Sequence, residues 1–434
     1  MNVIAGDEAR SAAASPTGGA SAPRRGRARK IWTAYHRWVG VVAGAYLVIA
    51  GLTGSVLAFW QDLDIWLNAD IMRVAEPFPN APRRSPSDII AAARASMAAD
   101  AEATNAQIFV SFPRRADAAA RIDYFLGLPS DEPPSDRASG ASEPPEKTPS
   151  LDLSKIEGHS IFVDPYSAKV TGRRDQGKIT DPLGFPFIYM VMSLHCALLW
   201  EPYGRLAVAA IGLLLLISVI DGLALWWPRR GNWRKALTFK QNAGAERFVY
   251  DLHKTVGVYL GAVLVVSIFS GVYMNFKAPW RALVSLASPV REMPMDLKSG
   301  EARGRAAIDV DAALRIVDQI FPDGRLQTIL PPRGPHGAYL IGKRTDDEVN
   351  QASTSRMVAI DQYSGDVLAS QDPRLFSAGE KFFEWMYPLH SGEAFGDPGR
   401  AFILLFGIVP VTLYATGFIR WLQKRRAARR AAAR

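Results

Sequence analysis

Six histidines occur in the 434 residues, and four of them fall into two matched sets. His36 stands in "YHRWVGVVAG" and His253 in "LHKTVGVYLG", each followed four and eight residues later by glycine: Gly40 and Gly44, Gly257 and Gly261. His195 opens "LHCALLWEPYGR" and His390 opens "LHSGEAFGDPGR", each ten residues before an arginine, Arg205 or Arg400. Neutral imidazole is a common metal ligand, and two helices related by a twofold axis set like residues face to face, so two imidazoles clamp one metal from opposite sides. Glycines one and two turns along a histidine's own helix face strip that face of side chains, which suits a flat macrocycle such as haem. The same spacing also suits close helix packing through small residues, and a lone interfacial histidine can simply anchor a helix. Zinc or copper needs further ligands, and no cluster of Cys, Asp or Glu supplies them. The single cysteine, Cys196, excludes an internal disulfide and a cysteine-rich metal site, and no C-x-x-C-H is present for covalent haem attachment.

Three further residues bear on the same chemistry. Arg205 and Arg400 either reach toward lipid headgroups or pair with a haem propionate, whose carboxylate matches guanidinium. Asp221 lies inside an apolar run, where a charge is costly and points to function. It orients a ligand imidazole, passes a proton, or bonds to a neighbouring helix. His159 and His336 read as ordinary surface residues.

The elements that carry these residues are membrane spans. Four apolar stretches of 22 residues (39–60, 206–227, 255–276 and 401–422) would each extend about 33 Å as helices, enough for the hydrocarbon core of a bilayer. Pro410 should kink the fourth. The first stretch is too long for a signal-peptide core and has no small-residue cleavage site, so it reads as an uncleaved anchor. Segments 1–38, 228–256 and 420–434 hold seven Lys/Arg each and four acids between them. The long loops 61–185 and 277–400 carry more acids than bases, 19 against 14 and 17 against 15. The positive-inside rule then puts both termini in the cytoplasm and both long loops outside. The net charge of +9 belongs to those flanks and does not mark a nucleic-acid site.

The chain reads as a duplication. His36, Gly40, Gly44 and Gly54 recur as His253, Gly257, Gly261 and Gly271. His195, Gly204, Arg205, Gly222 and Trp226 recur as His390, Gly399, Arg400, Gly417 and Trp421. The expected order is a basic tail (1–32), a first span (33–60), an outer domain (61–185), an interfacial helix with the second span (186–227), and a cytoplasmic loop (228–252). A third span (253–276), a second outer domain (277–385), an interfacial segment with the fourth span (386–422) and a basic tail (423–434) follow. Both halves enter from the same side, so the repeat is parallel. Each outer domain reads as a small α+β unit, with helices at 85–97 and 308–323 and hairpins at 161–172 and 357–370. Residues 130–150, rich in Pro, Ser and Glu, read as a disordered insertion.

The stretch "YHRWVGVVAGAYLVIAGLTGSVLAF", the two "LH…GR" blocks and the "VDPYSAKV" and "IDQYSGDV" hairpins together resemble the PepSY-associated transmembrane family of iron-regulated bacterial inner-membrane proteins. Within it the functional model is the FoxB-like ferric-siderophore reductase, which carries two haems. The resemblance implies PepSY-like outer domains and two b-type haems ligated by His36, His195, His253 and His390. It also implies a ferric siderophore as electron acceptor. Because like histidines share a membrane face, His36 pairs with His253 toward the cytoplasm and His195 with His390 toward the periplasm. The first block departs from the second, since Cys196-Ala197 stands where the second has Ser391-Gly392. No nucleotide or flavin motif is present, so the donor is a separate cytoplasmic reductase or a quinol. The alternatives are a membrane-anchored protein that binds or restrains a periplasmic peptidase without redox activity, and a transporter for iron or its chelate.

Overall fold

The structure, a computed structural model, describes residues 24–434 apart from 99–100, 128–154, 179, 229–230 and 241. The segment expected to be disordered, 130–150, lies outside the described residues. The chain begins with α1 (Arg24–Val42), α2 (Gly44–Leu57), α3 (Trp60–Leu67) and α4 (Ala69–Met72). Then come α5 (Pro86–Met97), α6 (Ala101–Asn105) and strands β1 (Ile108–Ser111), β2 (Ala120–Leu126), β3 (Glu157–Val163) and β4 (Val170–Lys178). Helices α7 (Phe187–Ala197) and α8 (Tyr203–Trp226) close the first half, and α9 (Trp233–Leu237) links it to α10 (Ala245–Asn275) and α11 (Lys277–Ser285). The second half continues with α12 (Val310–Ile320), β5 (Arg325–Leu330), β6 (Ala338–Arg344), β7 (Met357–Asp361) and β8 (Val367–Gln371). It ends in α13 (Ala378–Glu384), α14 (Met386–Ser391), α15 (Gly396–Phe406) and α16 (Ile408–Ala432).

Three helical stretches among the described residues are long and apolar enough to cross a membrane: α8, α10 and the run from Glu393 to Ala432. A fourth is met only if α1 and α2 count as one span bent by 52°. The bend falls at Ala43, between Gly40 and Gly44, where glycines weaken the helix. In the last span the break comes at Gly407, three residues before Pro410, because the proline ring displaces the carbonyl one turn back. The four spans meet around Ala43, Leu215, Leu264, Ile268, Phe406 and Val409. Gly51 and Gly407 let α2 and the last span touch: a Cβ on Gly51 would lie 2.8 Å from Pro410 Cγ, and one on Gly407 would overlap Ser55 Oγ.

The two α+β units expected from the sequence are one sheet. All eight strands pair antiparallel in the order β4-β3-β2-β1-β5-β6-β7-β8, and the halves join where Val110 and Ser111 face Ile329 and Thr328. Separate units would leave β1 and β5 as open edges, and pairing them removes both. Alternation along the strands sends Ile108, Ile122, Ile161, Ile329, Ile341 and Ile360 to one face, all fully buried. There α5 and α12 cover them as a single core. Each helix is started by its own cap: Ser85 accepts from the Asp88 amide at 3.1 Å and Asp309 from the Ala312 amide at 2.6 Å.

The opposite face of the sheet sits over the helical bundle, and the two halves meet it differently. In the first half, Arg174, its side chain 9% exposed, makes two bonds to buried Asp64 of α3, at 2.8 and 3.0 Å, and Arg121 donates to the Tyr189 hydroxyl of α7 at 2.9 Å. In the second half the space between β7, β8 and the bundle is a cavity.

Candidate functional site

His195 and His390 precede the second and fourth spans, in the segments read as interfacial. Each ends a short helix, α7 or α14, that runs toward the bundle before the chain reverses into the span. The repeated "LH…GR" block is the reversal. A Cβ on Gly204 would overlap the Ala197 carbonyl, and one on Gly399 would overlap the Gly392 carbonyl, so only glycine lets span and short helix touch. The turns differ locally, as the Cys-Ala for Ser-Gly exchange leads one to expect. The second uses Gly392 at φ +84°, whereas the first takes its left-handed residue one position later, at Leu198 with φ +53°.

The four histidines come together as two pairs. The rings of His36 and His253 lie 6.2 Å apart, nearly perpendicular at 83°. Those of His195 and His390 lie 5.9 Å apart at 72°. Each ring is oriented by helices of its own half, and each pair takes one ring from each half. His36 Nδ1 lies 2.9 Å from the Ser218 carbonyl oxygen, His253 Nδ1 3.1 Å from that of Leu413, and His390 Nδ1 2.9 Å from that of Ser267. A carbonyl only accepts, so Nδ1 carries the proton in these three rings. His195 Nδ1 is 2.9 Å from Thr53 Oγ1, whose own proton goes to the Ile49 carbonyl at 2.6 Å, so the hydroxyl accepts there too. Ser270 Oγ does the same for His390 at 3.0 Å, and Thr416 Oγ1 for His253 at 3.0 Å. All four Nε2 atoms therefore hold a free lone pair, and none makes a hydrogen bond among the described residues. A metal-binding histidine is commonly fixed in this way.

Glycine seats each ring. A Cβ on Gly54 would lie 3.3 Å from His195 Cε1, one on Gly271 3.3 Å from His390 Cε1, one on Gly417 3.3 Å from His253 Cε1, and one on Gly222 2.7 Å from His36 Cε1. Of the glycines singled out for their spacing, Gly40 faces open space and Gly257 meets only a methyl of Leu413 at 3.7 Å. Gly44 and Gly261 serve packing instead, against Tyr414 and Leu223. Spacing reasoning missed the orienting hydroxyls. Their signal was a polar residue just before a repeated glycine, Thr53-Gly54 and Ser270-Gly271.

The pairs stand at opposite ends of the bundle. The contacts of His390 on α10 fall at Ser267 and Gly271, 14 and 18 residues beyond His253, or about 21–27 Å along the helix. Among the described residues no three His, Cys, Asp or Glu side chains gather to hold a bare ion. Two facing imidazoles suit a group that brings its own equatorial ligands. With metal–nitrogen bonds of about 2 Å and about 1 Å more to each ring centre, two axial imidazoles stand about 6 Å apart. The donor set, its spacing and the bare Gly40 and Gly257 face fit haem.

The pair nearer the sheet opens into a cavity of about 960 Å³. Its lining includes the His195 and His390 rings with their glycines Gly54 and Gly271, half-exposed Arg205, and, toward the sheet, Lys277, Arg281, Arg291, Asn350 and Gln371. Arg205 keeps one partner, Glu201 at 2.7 Å. Arg400 is committed elsewhere: it bonds Asp62 at 2.7 Å, Asp397 at 3.1 Å and the Ala58 carbonyl at 2.9 Å, and covers the Phe59 ring. Toward the sheet, hydrogen bonding from Arg291 holds the Glu380 carboxyl down at about 2, while burial pushes Glu384 up.

Asp221 orients no imidazole and bonds to no neighbouring helix. It makes no hydrogen bond or ion pair among the described residues, and its Oδ2 is buried. His159 lies half-buried against Tyr124 with Nδ1 2.8 Å from Asp175, and His336 is exposed. No curated protein matches the chain by sequence. The family model described as the PepSY-associated TM region matches residues 33–424, and the chain belongs to that family.

Proposed function

We propose that the protein is a two-haem electron carrier of the bacterial inner membrane that passes electrons outward and reduces ferric siderophores at its periplasmic sheet. The observation that carries this reading is the pairing of four imidazoles, each with Nδ1 held and Nε2 free, their rings 6.2 and 5.9 Å apart, a donor set that would suit haem. His36 and His253 would hold one b-type haem and His195 and His390 the other. Haem so ligated supplies one-electron redox chemistry with no open coordination site. The protein's own part is to keep each ring in one tautomer through Ser218, Leu413, Thr53 and Ser267, and to keep water from the bundle interior. Arg205, which lines the same cavity as His195 and His390, would meet a propionate with the donors that Glu201 leaves free.

In this reading the basic flanks lie in the cytoplasm, the two halves are a parallel repeat, and the sheet is periplasmic. The outer cavity then receives the chelate beside the second haem. Its opposed charges and neutral amides (Arg281 with Glu292, Arg291 with Glu380, Asn350, Gln371) suit a polar ligand larger than a bare ion. Reduction to Fe(II) weakens the chelate and frees the metal.

The test is a dithionite-reduced minus oxidised visible spectrum of the purified protein, with haem quantified per chain. Sharp low-spin b-type bands and about two haems per chain are expected, and His36→Ala and His390→Ala should each remove one. A colourless protein after expression with added haem would end this reading.

A further inference from the structure

The position of Asp221 points to an entry site for electrons. In the repeat, position 221 corresponds to 416, and Thr416 Oγ1 helps hold His253 at 3.0 Å. In the first half that task has moved one turn back, to Ser218, whose carbonyl and hydroxyl oxygens lie 2.9 and 3.2 Å from His36 Nδ1. Position 221 is thereby released, and it bears a carboxylate 8% exposed whose Oδ2 is buried without a partner. A buried carboxylate left unsatisfied costs stability unless something completes it.

Asp221 is also one of the residues that line a second cavity of about 240 Å³, with Arg29, Trp32, Ala224, Leu225 and Trp227. Arg29, Trp32 and His36 follow one face of α1, and Gly222, next to Asp221, is the seat of the His36 ring. Trp32 and Trp227 are 47% and 63% exposed. Tryptophans at this level of a span serve by themselves as interfacial anchors. Anchoring does not account for an unpartnered carboxylate lining the same cavity, nor for the edge-to-face packing of Trp227 on Trp226 and Trp233, which keeps its ring in place.

We propose that this cavity binds the head group of a membrane hydroquinone. One phenolic O–H donates to the Asp221 carboxylate, the flat ring lies against Trp32 and Trp227, and the tail stays in lipid. Arg29 stands ready to donate to the carbonyl of the quinone product. The hydroquinone loses two electrons and two protons; the protons leave to water at the cavity mouth, and the electrons reduce two ferric chelates by one each. The inference rests on the haem reading for its redox role, but not for the binding itself.

Binding is measured on the full chain in detergent by quenching of tryptophan fluorescence with a short-chain benzoquinone, and reduction by following the visible bands after adding the corresponding quinol. Wild type should quench saturably and be reduced by the quinol. Asp221→Leu should weaken binding and slow quinol reduction at least tenfold while dithionite reduction is unchanged, and Trp32→Leu should weaken binding as a second, independent variant. Unsaturable quenching in wild type, or an Asp221→Leu protein that binds and is reduced like wild type, would overturn the site. A protein without haem bands that still quenches saturably through Asp221 keeps the site and removes the carrier.

Discussion

Thr416 and Asp221 occupy one place in the two halves, and so, where the sheet meets the bundle, do a sealed joint and a hollow one. In the second half Thr416 binds a histidine, whereas in the first Asp221 binds nothing within the described chain. Over the first half Arg174 and Asp64 close the gap; over the second the gap is the 960 Å³ cavity. What the halves share, the glycine seats and the Nδ1 acceptors, holds the rings. What they do not share leaves one opening at each end of the bundle, one beside each pair. A carrier with equivalent halves would have no such polarity. On the proposed reading, one opening serves as the way in and the other as the way out.

The shared devices are the easiest to break. Gly204→Ala and Gly399→Ala each drive a methyl into a backbone carbonyl that cannot rotate aside, so the cost should reach about 3 kcal/mol or more. Either change should displace His195 or His390 and leave His36 and His253 in place. Haem content should fall from about two per chain to about one, read by pyridine haemochrome. If both haems survive in both variants, the reversal does not position the ring.

Next in size is the sealed joint. Asp64→Ala strands Arg174, 9% exposed, without its partner, and breaking a buried ion pair costs about 3–5 kcal/mol. Glu384→Gln, across the hollow joint, keeps a bond to Ser355 and should cost under about 1 kcal/mol. Thermal unfolding of the two variants side by side would settle the ranking. Equal losses would mean that the cavity wall carries the sheet as much as the joint does.

Three of the spans, and a fourth if the bent pair α1–α2 counts as one, were readable from the length of the apolar runs, and the meeting of the four histidine rings in two pairs from the recurring offsets. Alternation and 3.6-residue periodicity placed hairpins at 161–172 and 357–370 and helices at 85–97 and 308–323, where the structure has β3–β4 (157–178), β7–β8 (357–371), α5 (86–97) and α12 (310–320). Joining the two α+β units was not readable, because β1 contributes only four residues and its partner β5 lies more than two hundred residues away. The interfacial segments that carry His195 and His390 were legible, but their tight reversal into the spans was not, since it depends on backbone contact at Gly204 and Gly399 rather than on any side-chain pattern. Asp221 stood out by cost alone. Its freedom became visible only once Ser218 was seen to do the work of Thr416.

That substitution of roles predicts unequal sensitivity at matched positions. Thr416→Ala removes an acceptor from His253 Nδ1 and leaves the Leu413 carbonyl at 3.1 Å. Outer partners of a metal-bound histidine typically contribute about tenfold or more to retention, so haem at the sheet-distal pair should dissociate about tenfold faster. Asp221→Thr, which writes the second half's residue into the first, should leave haem retention unchanged and abolish only quinone binding. A haem loss in Asp221→Thr equal to that in Thr416→Ala would make Asp221 a structural partner of His36 and erase the distinction.

The smallest expected effect lies at the rim of the hollow joint. Glu380 ionises near 2 in the folded protein because Arg291 donates to it at 2.8 and 3.0 Å, against an ordinary value of 4.5. A depressed carboxyl stabilises the fold fully above about 4.5 and loses that contribution as pH falls toward about 2. Arg291 is 71% exposed, so water screens the pair and its net worth is small. The stability gap between wild type and Glu380→Gln should therefore be modest at pH 7, hold to about pH 4.5, and close by about pH 2. Arg374 and Asp323 bond in the same sheet half but away from the cavity, and Arg374→Gln should leave that profile unmoved. A gap that stays constant through pH 3 would show that Glu380 acts as a cap of α13, through its bond to the Ser377 amide, and not through its charge.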